Sequence, residues 1–182
     1  EQYLVATGRN YFRDLSFDQL RRMQFDLETT GLSAENSRIF MIAVREPSGA
    51  MDVLEAGGDG DAAEAELIRR LVERVRAADP DVIENHNLHG FDLPFLAKRA
   101  ELLGVPLRLG RIESGGMRQR GARRGARLVA PGRELIDTLD AVLRWDFATR
   151  ELKGHGLKEV ARHLGLAKAD REYIAGDRIH EV

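Results

Sequence analysis

From Met23 to Thr29 the chain alternates, with Met23, Phe25 and Leu27 on one side and Gln24, Asp26 and Glu28 on the other. A period of two predicts a half-buried strand over 23–29. Residues 38–46 (RIFMIAVRE) are rich in strand formers and predict a second strand, and Ser48-Gly49 marks a hairpin turn into a third over 50–55. The period then changes. Leu67, Ile68, Leu71, Val72 and Val75 share one face of a helix over 61–78, charged residues take the other, and Pro80 stops it. Residues 81–84 (DVIE) predict a short strand. Asp92 reads as the N-cap of the next helix, with Pro94 tolerated in its first turn and Gly104 at its end. The arginine- and glycine-rich 110–126 reads as a loop, 127–130 and 133–136 as strands flanking a Pro131-Gly132 turn, and 138–147 and 156–164 as helices. At the start, 3–7 (YLVAT) reads as a short strand and 17–22 as a helical turn or linker. Three leading strands followed by alternating helix and strand predict an α/β fold, a mixed central sheet flanked by helices.

Composition narrows this picture only slightly. The 182 residues, 43% hydrophobic, suit one domain with a real core, read as 23–182 behind a short extension over 1–22. There is no cysteine, which excludes disulfides and thiolate metal sites, and there is no signal peptide or apolar run of membrane-spanning length. These features fit a cytoplasmic protein without a membrane partner. Net charge is −2, and the distribution says more than the sum. Six arginines (Arg111, Arg118, Arg120, Arg123, Arg124, Arg127) fall between 111 and 127 against one acid, Glu113.

Candidate chemistry starts with the polar side of the 23–29 strand. Asp26 and Glu28, two apart, leave the same face about 7 Å apart along the backbone. Two ionised carboxylates that close, in a partly dry place, call for a raised pKa or a bound cation. Oxygen-only ligands favour Mg²⁺ or Mn²⁺. On its own a D-x-E is more simply a solvated strand face. A second group, Asn87, Gly90, Phe91, Asp92 and Leu93, sits where a strand meets a helix, and such junctions in α/β sheets hold ligands. His86 and His89 read as loop or surface residues, since no second histidine-rich cluster accompanies them. Trp145 and Phe147 read as core, and Gly57-Gly58-Asp59-Gly60 is no phosphate loop, because no G-K-[ST] follows.

Taken together, FDLETTGL (25–32) and HNLHGFDLPFL (86–96) resemble the first two motifs of DnaQ-like 3′–5′ exonucleases, of ribonuclease H-like fold. The resemblance is narrower toward the exonuclease domain of family B DNA polymerases, or a bacterial stand-alone relative. GRELIDTL (132–139) and LKGHGLKEVARHLGL (152–166) also resemble that family. The resemblance implies catalysis and metal binding by Asp26, Glu28 and Asp92. It implies substrate contacts from Asn87 and Phe91, and from Thr29 and Leu32 at the turn after the first motif. It implies two Mg²⁺ or Mn²⁺ ions about 4 Å apart, hydrolysis at the 3′ end of single-stranded DNA, and a polymerase or repair assembly as partner. The arginines of 111–127, including Arg118, Arg120, Arg123 and Arg124, read either as contacts to a single-stranded backbone or as a solvated loop.

A fourth acid is required by the family pattern, in a Y-x-x-x-D or H-x-x-x-x-D motif. Only Tyr173 has an aspartate at that spacing, Asp177, and the intervening Gly176 speaks against the helix on which both would lie. The acid is therefore expected beyond Val182, with Asp177 as the other reading. Two further functions stay open: a non-catalytic exonuclease-like domain that binds nucleic acid or serves a structural role, and an exoribonuclease of the same fold.

Overall fold

A computed structural model describes residues 6–8, 15–112, 117–120 and 127–167. After a 3₁₀ turn at Phe17–Gln19 come three strands, β1 (Arg22–Thr29), β2 (Ile39–Arg45) and β3 (Met51–Glu55). Helix α1 (Asp61–Ala78), β4 (Val82–Asn85), a π turn at Leu88–Asp92 and α2 (Leu93–Leu102) follow. The chain continues through β5 (Arg118–Arg120), β6 (Arg127–Val129), β7 (Glu134–Asp137), α3 (Thr138–Thr149) and α4 (Leu157–His163).

The main sheet has the order β3-β2-β1-β4-β7 and is mixed. β1, β2 and β3 pair antiparallel, as two short connections allow, whereas β4 and β7 run parallel to β1 after crossovers. One face is dry. Met23, Phe25 and Leu27 of β1 pack with Ile42 and Val44 of β2 and with Leu67, Ile68, Leu71 and Val75 of α1. Leu93 and Leu96 of α2 join the same core. The alternation in β1 puts Gln24, Asp26 and Glu28 on the opposite face, which stays half-buried or exposed. There Met51 and Val53 of β3 keep 81% and 51% of their surface in water.

Two devices hold the frame. Arg99 is buried in α2 and makes a bidentate pair with Glu64 of α1, at 2.8 and 2.6 Å, while Glu64 also accepts the Ile39 N–H. At the far end of the sheet from Asp26, Arg111 binds Asp79 and Asp81, and Arg133 also binds Asp79. These guanidinium groups hold both aspartates below the usual carboxylate range.

Several expectations change. Ala6 and Thr7, the described part of the 3–7 strand, are helical. β5 lies inside the expected loop 110–126 and forms a two-stranded sheet with β6, so β6 and β7 flank the Pro131-Gly132 turn but belong to different sheets. Glycine and arginine hid β5 because pairing, not propensity, makes so short a strand. Asp92 does not cap α2: its backbone is already helical and its side chain makes no cap hydrogen bond. Trp145 and Phe147 are not core, at 39% and 84% exposed, because α3 buries no residue among the described elements.

Candidate active site

The β1–β4 ladder ends at Gln24 and Glu84. Beyond it the strands part, and Asp92 fills the gap: its Oδ1 accepts the Leu27 N–H at 3.3 Å. The residue is 3% exposed. Burial first, and then the charge of Asp26, push its pKa up to about 7; hydrogen bonds from Leu27 and Asn85 draw it back. Glu28 is half-buried, and its pKa is also raised, by burial and then by Asp26, with Lys158 of α4 opposing. Three carboxyl groups from two distant stretches of sequence are thus brought to one end of β1, with Asp26 the charge felt by both others.

The loop carrying Asp92 is fastened from β7. Asp137 is buried, and its Oδ1 accepts the N–H groups of Asn87 (2.9 Å) and Leu139 (3.0 Å), while Oδ2 accepts that of His89 (2.9 Å). One carboxylate therefore caps α3 and sets the second-motif loop. Asn87 takes a left-handed conformation (φ 65°) that Asn tolerates better than most residues. Its side chain lies over Gly90, where a Cβ would come within 2.1 Å of Asn87 Oδ1. Next to it, His86 Nδ1 meets Thr138 Oγ1 at 3.2 Å and its Nε2 meets the His155 carbonyl at 2.8 Å. His155 in turn reaches Asp146.

A groove of about 680 Å³ runs over the open sheet face, lined by Asp26, Ala43, Val53, Asn85, Thr138 and Leu157 among others. The remaining sequence-derived residues divide. Phe91 meets Phe95 at a tilt of 42° (centroids 5.4 Å apart) and packs against the core. Thr29 turns its hydroxyl to the Gly31 carbonyl, and Leu32 is 88% exposed beside that turn. Arg111 and Arg127 are engaged by acids, Arg127 by Asp140. Arg118 and Arg120 lie on β5. Arg123, Arg124, Tyr173 and Asp177 fall outside the described residues.

Two polar residues at this site were not singled out in the sequence as site residues. Asp137 had a signal, an aspartate directly before a helix pattern. Asn85, which donates to Asp26, had none.

The sheet order, the splayed β1–β4 pair and the carboxyl groups at the splay define a ribonuclease H-like domain of the DnaQ-like type. The family described as "DNA polymerase family B, exonuclease domain" matches residues 61–147, a span that holds Asp92 and Asp137 but not Asp26 or Glu28. DNA polymerase 2 of Aeropyrum pernix is 35% identical over 155 residues, which is 82% of this chain and 18% of that protein. The DNA polymerase of Pyrococcus glycovorans is 37% identical over 124 residues, 60% of this chain and 16% of that protein. The family B DNA polymerase structure from Pyrobaculum calidifontis superposes with a TM-score of 0.72 at 30% identity, over 89% of this chain and 20% of that one. The chain is similar to the exonuclease domain of family B DNA polymerases, and spans about a fifth of the length of these relatives.

Proposed function

We propose that this domain is a 3′–5′ exonuclease acting on the 3′ ends of single-stranded DNA, as part of a polymerase or repair assembly. The observation that carries the reading is electrostatic. Asp26 stands beside Glu28 and Asp92, whose ionisation is made costly by burial and by the Asp26 charge, an arrangement that a cation relieves.

The donor set fits Mg²⁺ or Mn²⁺, being oxygen only. Among the described residues no group of three His, Asp or Glu side chains is placed to hold an ion together. Mg²⁺ is commonly held by one or two carboxylates, with water and substrate phosphate completing its shell. Asp26 with Glu28, and Asp92 beside Asp26, suit that manner of binding. A metal held there would ease deprotonation of the attacking water and would stabilise charge on the leaving oxygen. The chain's own residues do the rest. The Asp137 bracket fixes the loop that presents Asp92, Phe91 stiffens it against the core, and the groove beside Asp26 accepts an extended strand. Among the described residues no fourth acid joins this group.

The test is Mn²⁺-dependent degradation of 5′-labelled single strands, DNA against RNA, by the parent and Asp26→Ala. A ladder that Asp26→Ala abolishes is the expected result; one that survives overturns the reading. Faster cleavage of RNA would move the substrate class. A second reading, a binding domain without catalysis, draws on the lack of a three-ligand cluster among the described residues. It predicts single-strand binding, no ladder, and no change in Asp26→Ala.

A further inference from the structure

Asn85 is the last residue of β4, and its Cα is registered against Asp137 of β7 by the parallel ladder. Its backbone carbonyl accepts from Thr138 Oγ1 at 3.3 Å, so the residue is held at both neighbours. From this fixed point the side-chain amide crosses to β1, where Nδ2 donates to Asp26 Oδ1 at 3.0 Å. The same side chain is near enough to Asp92 to draw its pKa down. A neutral amide therefore stands between two acids that repel each other.

This arrangement has consequences for Asp26. A carboxylate has two oxygens and about four lone-pair sites. One oxygen is engaged by Asn85, and the residue lines the groove. The donor carries no charge, so it steadies the carboxylate without opposing a cation, as a lysine or arginine in its place would. Groups in this relation to a ligand carboxylate typically change metal affinity by about 10- to 100-fold when removed.

We infer that Asn85 is a positioning residue for the divalent-metal site, its amide aiming the Asp26 carboxylate at the cation. This rests on the proposed role of Asp26 as a metal ligand. The plain alternative is a polar contact on a strand face, with no bearing on metal.

The experiment measures Mn²⁺ binding to the whole chain by the EPR signal of the free ion. Parent, Asp26→Ala, Asn85→Ala and Asn85→Ser are compared, with thermal unfolding of each as the control for folding. The expected result is Mn²⁺ binding in the parent that is lost in Asp26→Ala. Asn85→Ala then binds about 10- to 100-fold more weakly at an unfolding temperature close to the parent's. Asn85→Ser, which keeps a hydroxyl donor, falls between. In the exonuclease assay, Asn85→Ala needs correspondingly more Mn²⁺ for half-maximal rate, and saturating Mn²⁺ restores turnover with KM for DNA unchanged. Restoration by metal is something a merely structural role would not show. Binding lost in Asp26→Ala but within twofold of the parent in both Asn85 variants overturns this inference alone. No Mn²⁺ binding by the parent, or binding indifferent to Asp26→Ala, overturns both this inference and the catalytic reading.

Discussion

Asp92 offers the sharpest quantitative test. Its carboxyl is buried beside Asp26, which raises its pKa from 3.8 to about 7. Each unit of difference between folded and unfolded chain corresponds to about 1.4 kcal/mol, so roughly 4 kcal/mol is at stake. The folded pKa lies above the unfolded one, so the folded state keeps the proton longer. The stability tied to this group is whole below about pH 4 and drains away as pH rises to about 7, after which the loss is constant. Asp92→Asn removes the charge and keeps an amide oxygen to accept the Leu27 N–H. The variant should match the parent near pH 4. Its advantage should then grow by about 1.4 kcal/mol per pH unit, toward about 4 kcal/mol above pH 7. Urea unfolding in EDTA at pH 4.5, 6 and 8.5 measures it. Saturating Mn²⁺ should narrow the gap at high pH, because a cation relieves in the parent what the amide relieves in the variant. A variant less stable than the parent at pH 8.5, or a difference that does not change with pH, would refute the reasoning. Stability gained at the expense of activity is what a strained functional acid should show.

Other predictions concern the supports of the site. Arg99→Ala leaves the fully buried Glu64 without its cation, and urea unfolding should register a loss of about 3–5 kcal/mol. Asp137→Ala removes the acceptor of three N–H groups, two in the second-motif loop. A loss of about 2–4 kcal/mol is expected from the cap and the orphaned donors, with faster amide exchange at Asn87 and His89. Gly90→Ala forces the Asn87 side chain aside, since the new Cβ would lie 2.1 Å from its Oδ1. The side chain can rotate, so the stability change should stay below about 1 kcal/mol while kcat/KM on single-stranded DNA falls; an unchanged kcat/KM would remove Asn87 from the substrate contacts.

The period-two run of β1 and the helical stripe of α1 were legible because each depends on which face of one element is dry, and neighbouring residues in the chain carry that information. The pairing of D-x-E with N-x-x-x-F-D was legible for the same reason: each motif is local, and their co-occurrence is specific. Tertiary structure alone decided what lies between them. It parted β1 from β4 after Gln24, and so buried Asp92, expected both as a helix cap and as a metal-binding acid, against the Leu27 N–H. It seated Asn85 against Asp26, 59 residues away, and Asp137 beneath Asn87, 50 residues away. It also left Trp145 and Phe147 outside the core and took Arg111 for a frame contact. A hydrogen bond or a pKa depends on groups within a few ångströms in space, and no periodicity along the chain records which distant residues those will be.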